Sequence, residues 1–71
     1  MTMTRERAEA IKVGDMLTPD RMWNQTERQI NRLPQVCKVL GVKKANCELG
    51  VMVCVKTIGG VGRWLSAGWF E

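Results

Sequence analysis

The clearest signal in the chain is an alternation of period two. Leu49, Val51, Val53, Val55 and Thr57 fall on one face of an extended segment, and Gly50, Met52, Cys54 and Lys56 on the other. Four of the five residues on the first face are apolar and four are β-branched, so this segment is a strand with that face toward the core. Val36 to Val42 reads as a preceding strand, with Gly41 marking a kink. Lys43-Lys44-Ala45-Asn46 supplies a turn between the two. Ile58-Gly59-Gly60 makes a second, tight turn, because paired glycines accept positive φ. Val61 to Ser66 then follows as a hairpin partner, broken at Ala67-Gly68. Earlier, Ile11 to Leu17 reads as a short first strand interrupted at Gly14-Asp15. Strands at this spacing make a meander or a small barrel.

Between the first strand and Val36 the period changes. Met22, Trp23, Thr26, Ile30 and Leu33 recur at intervals of three and four, which is one face of a helix. Two readings fit. Thr18-Pro19 supplies an N-cap and a first-turn proline for one helix over about 19–32, bent near Thr26. Thr26 to Gln29 supplies a capping box for a shorter helix starting at Glu27 after a loop. Pro34 ends either one. Packing of the Met22, Trp23, Ile30 and Leu33 face over one end of the sheet is expected. An exposed patch for a partner is the alternative. Residues 1–10 are polar and charged, and read as a flexible tail or a single helical turn. The organisation predicted is a tail over 1–10 and one domain over 11–71. The fold class is mainly β with one helix, a small barrel or meander with a helical insertion after the first strand.

Length then narrows the picture. At 71 residues the chain is a single small domain with a thin core. A hydrophobic fraction of 45% and a charged fraction of 25% are those of a folded globule, not a disordered segment. Without histidine there is no Ser-His-Asp or Cys-His catalysis and no histidine-ligated zinc. The acidic residues Asp15, Asp20, Glu27, Glu48 and Glu71 form no paired motif. Gly59-Gly60-Val61-Gly62 lacks the ending of a phosphate loop and sits in a hairpin. The expectation is therefore no enzyme and no cofactor. Cys37, Cys47 and Cys54 are odd in number and irregular in spacing, so free thiols in a reducing cytoplasm are expected, chiefly as small buried hydrophobes. Cys37 and Cys54 fit as neighbours on adjacent strands. No apolar run approaches the roughly 20 residues of a membrane span, so no membrane partner is expected.

Charge points to a partner. Eleven basic residues against seven acidic leave a net +4, with a pI near 9.4. The excess is uneven. Residues 1–36 hold six basic and five acidic side chains, whereas 37–71 hold five basic and two acidic. Lys38, Lys43, Lys44, Lys56 and Arg63 therefore make the strand half basic. Lysines on strands also guard exposed edges against mispairing, which is the structural alternative. Three tryptophans are a large aromatic load for so short a chain. Trp69 and Phe70 suit the core. Trp64 shares its face with Gly62 and Ser66, so it points outward if Val61 and Leu65 point inward. An outward Trp beside lysines is a stacking platform for bases, or equally an anchor for a protein.

The segment Lys12-Val13-Gly14-Asp15-Met16-Leu17 resembles the "V-G-D" opening strand of small SH3-like and KOW-like barrels. The hairpin Leu49 to Ser66, running on through Ala67-Gly68-Trp69-Phe70-Glu71, is similar to the closing strands of compact barrels in phage and mobile-element proteins. The resemblance covers about 11–17 and 36–71, and the 18–34 excursion takes the place of the long loop after the first strand. It implies a small SH3-like barrel acting as a binding module, an accessory protein working in the host cytoplasm. Plasmid-encoded dihydrofolate reductases share that barrel but use Val-Gln-Ile-Tyr on a late strand. The comparable segment here, Val51-Met52-Val53-Cys54-Val55, has neither Gln nor Tyr, which argues against that activity. The leading expectation is nucleic-acid binding through Lys43, Lys44, Lys56, Arg63, Trp64 and Trp23. Its rivals are a host protein, inhibited or adapted through the same aromatics, and a homo-oligomer.

Overall fold

The computed structural model describes residues 3–20, 30 and 32–71. Trp23 and most of the expected 19–32 helix lie outside them. The protein is mainly β: a four-stranded antiparallel sheet with one short helix. Helix α1 is Arg5–Glu9, and the strands are β1 (Met16–Leu17), β2 (Cys37–Lys44), β3 (Val51–Lys56) and β4 (Gly62–Ser66). Their spatial order is β1-β2-β3-β4, a meander. No helix of the described residues is long and apolar enough to cross a membrane.

Strand β3 is central and carries the alternation seen in the sequence. Val51, Val53 and Val55 are buried, whereas Lys56 is exposed. They meet Cys37, Val39, Leu17, Ala67 and Phe70 in the core. Between Val39 and Gly41 the β2–β3 register shifts by one residue, a bulge at the position where Gly41 suggested a kink. The expected turn at Lys43-Lys44 is instead the end of β2, with Lys43 opposite Met52 and Lys44 opposite Val51. The turn falls over 45–50, where the Ala45 N–H donates to the Gly50 carbonyl and Gly50 takes φ +73°. Consecutive lysines are compatible with a strand when both side chains reach water, and both do here.

The first strand is shorter than Ile11–Leu17 because Lys12 to Asp15 is a tight turn. The Asp15 carboxylate accepts from the Lys12 N–H at 2.8 Å, and Gly14 holds φ +97°. Gly14 and Asp15 nonetheless bond to both backbone groups of Val39 at 2.8 Å, extending the β1–β2 contact. In the segment expected as a tail, α1 is capped by the Thr4 hydroxyl, which accepts from the Arg7 N–H. Met3, Ala8 and Ile11 enter the core. Pro19, expected to open the helix, is not helical: it is buried and forms a bridge to Phe70. The flanking Asp20 and Glu71 N–H groups donate to the Trp69 and Thr18 carbonyls, so the N–H that proline lacks is not needed there. Ala67–Trp69 forms a 3₁₀ turn capped by Ser66, leading from β4 to this bridge.

Of the expected core aromatics, Phe70 is fully buried while Trp69 is 37% exposed. Leu33 is buried but Ile30, on the same expected helix face, is exposed. Val61 is exposed rather than inward, because it precedes β4 and its carbonyl closes the hairpin with Thr57. Cys37 is buried opposite Leu17, and Cys54 is half-buried opposite Gly41, so the two thiols are not cross-strand neighbours.

Candidate nucleic-acid interface on the outer sheet face

The pleat that sends the valines of β3 inward sends Met52, Cys54 and Lys56 outward. Pairing builds rows across this outer face: Lys43, Met52 and Ser66 in one, Gly41, Cys54 and Trp64 in the next, then Lys56 beside Gly62. The middle row explains its own composition. Trp64 on β4 leans across β3 and reaches β2, a span of about 9–10 Å for two strand spacings. Cys54 beneath the ring is small, and Gly41 has no side chain. A Cβ at Gly41 would lie 3.2 Å from Trp64 Cη2. Gly62 is tighter still, since a Cβ there would lie 2.7 Å from Cys54 Sγ. Glycine in a strand interior marks close approach as well as a bend. Gly41, Cys54 and Gly62 are thus parts of the site that pattern reading missed, although the isolated glycines were its visible signal.

Trp64 remains 42% exposed. The Lys43 ammonium stands over its ring, with Nζ 4.4 Å from the centroid. The negative face of the indole attracts that cation. Lys43 therefore reaches Trp64 because it is a strand residue, one pairing row from the ring. As a turn residue it would point elsewhere.

The surrounding field is of one sign. Strands β2, β3 and β4 carry Lys38, Lys43, Lys44, Lys56 and Arg63 and not a single Asp or Glu. Among the described residues none of these five cations is in an ion pair. Potentials from unpaired like charges add over a surface of this size, so an anionic chain is attracted before contact.

The structure brings together only part of the residue set expected from sequence. Lys43, Lys56 and Trp64 share the outer face. Lys44 lies on the other side of the pleat, in a cleft with Arg5, Glu9 and Leu49. Arg63 also turns away from Trp64 and lines a cleft of about 300 Å³ with Arg32, Thr57 and Gly59. Arg32 holds a left-handed φ of 53°, and its carbonyl accepts from the Ile58 N–H at 2.8 Å. A non-glycine residue in that region stores on the order of 1 kcal/mol of strain, which the surrounding contacts must hold. Trp23 lies outside the described residues. No group of three or more Cys, Asp or Glu side chains gathers as a metal site among the described residues. Comparison with known protein families, with characterised proteins and with solved structures finds no match for this chain.

Proposed function

We propose that the protein is a non-enzymatic binding module that takes single-stranded nucleic acid across the outer face of β2, β3 and β4. The observation that carries this reading is the Lys43–Trp64 stack on a sheet whose charged side chains are all basic. Trp64 supplies the π-face on which a base stacks, and Lys43 and Lys56 neutralise the phosphates beside it. Stacking displaces the Lys43 ammonium from the ring, and a backbone phosphate receives it. Lys44 and Arg63 sit at the flanks and add to the field. An SH3-like path for the chain fits the same reading: after β4 a 3₁₀ turn carries Phe70 to its bridge with Pro19, just beyond β1.

The test is titration with a short oligothymidylate, followed by tryptophan fluorescence at several salt concentrations. Binding is expected to weaken with salt, by a slope of about −0.7 per phosphate neutralised. Lys43→Glu/Lys56→Glu flattens that slope by about 1.4 units, and Trp64→Phe removes most of the spectral change. An unchanged slope in the double variant overturns this surface. A protein partner is favoured by one observation, the exposure of Leu40 on β2, whose Cδ1 lies beside Gly62 on the outer face. Binding of such a partner would depend only weakly on salt.

A further inference from the structure

The cleft between Arg32 and Arg63 adjoins the stacking face at Gly62, and Arg63 points away from that face. Two arginines line it, and neither makes an ion pair among the described residues. Like charges in one cleft repel, so the arrangement is least costly when an anion lies between them. Arg32 reaches over the hairpin turn, with Nη1 3.9 Å from where a Cβ of Gly59 would stand. Gly59 and Gly62 leave the wall of the cleft as bare backbone, and Thr57 is committed to the Val61 carbonyl at 2.8 Å. What the cleft offers a ligand is therefore two arginines, whose forked N–H donors are of the kind that suits a tetrahedral oxyanion. About 300 Å³ is ample for one such group. No acidic side chain lines the cleft among the described residues.

We propose that the Arg32–Arg63 cleft binds one phosphate group. The source is either a backbone phosphate of a bound strand or free inorganic phosphate. Gly62 lines the cleft and lies two residues from Trp64 on β4, about 7 Å along the strand. A nucleic acid stacked on Trp64 and running toward the hairpin would pass the cleft. The inference rests on the nucleic-acid reading only for that first source.

The experiment uses the whole chain and three variants: Arg32→Gln, Arg63→Gln and the double substitution. With oligothymidylate, each single variant is expected to reduce the salt slope by about 0.7. The double variant should lose no more than either alone, because both arginines hold one phosphate. Lys12→Gln, on the turn after α1, serves as the control and leaves the slope unchanged. Inorganic phosphate is titrated separately at fixed ionic strength, read by backbone and guanidinium NMR shifts. Shifts at Gly59, Gly62 and the two arginines with phosphate and not with chloride support the site, even where no oligonucleotide binds. Additive losses in the double variant, or slopes unchanged from the native chain, exclude the strand as the source. The absence of phosphate-specific shifts together with unchanged slopes overturns the proposal. That result leaves the Lys43–Trp64 surface standing on its own test.

Discussion

Val51, Val53 and Val55 point one way along β3, and Met52, Cys54 and Lys56 point the other. The inner set faces Phe70, Val39 and Cys37, all fully buried, and fills space with branched aliphatic side chains. The outer set faces one large ring and makes room for it. Cys54 is small, and its neighbours on the adjoining strands are Gly41 and Trp64. The same strand therefore supports a packed interior and a shallow platform, and the two differ in what a volume change does. Inside, removing atoms leaves a cavity. Outside, adding atoms lifts the ring.

The largest effect should come from the inner side. Phe70→Ala is expected to destabilise by about 3–5 kcal/mol. That is a large share of the total for a domain of this size, so urea unfolding should show a midpoint near zero denaturant. A midpoint close to that of the native chain would mean that the inner face is not one continuous core. Next, on the outer side, Gly62→Ala should cost about 1–3 kcal/mol by overpacking against Cys54 Sγ. Cys54→Ala in the same chain should recover most of that loss. Failure to recover it would place the strain in the backbone of β4 rather than in the row across the sheet. The smallest effect is Lys43→Gln, which removes the cation from the indole and is expected to cost about 0.5–1 kcal/mol. Its thermal midpoint should fall by a few degrees at most, while its tryptophan emission changes because the ammonium has gone.

The comparison also shows why some of the structure was legible in the sequence. The alternation of Leu49 to Thr57 states both the strand and its inner face, since burial on one side requires a period of two. Gly41 and Gly59-Gly60 announced a distortion and a turn for the same local reason, backbone freedom. The outward direction of Trp64 is expected if Val61 and Leu65 point inward; Leu65 does pack against the core, whereas Val61 precedes the strand and is exposed. What failed were inferences that needed a partner element. Lys43-Lys44 reads as a turn until β3 is seen to be long enough to pair with it. Thr18-Pro19 reads as a helix start until Phe70 is seen to claim Pro19. The buried residues of the N-terminal segment, Met3, Ala8 and Ile11, are too few to form a visible stripe, yet they enter the core beside α1, which its Thr4 cap holds. The same limit hides the site. Lys43, Lys44, Lys56 and Arg63 are alike in composition, and only the register sorts them between the two sides of the sheet.

The bridge between Pro19 and Phe70 joins residues far apart in sequence, whereas the β2–β3 and β3–β4 pairings join neighbours. Near contacts close small loops and form early, and distant ones wait for them, because closing a long loop sacrifices more chain entropy. The two hairpins are therefore expected to be in place at the folding transition state, and the Pro19–Phe70 closure to come after it. In a chevron experiment Phe70→Leu should then leave the refolding rate nearly unchanged and raise the unfolding rate, whereas Val53→Ala should slow refolding. The bridge is in this sense a clasp: it does little to guide the chain to its fold and much to set how long the fold, once made, survives.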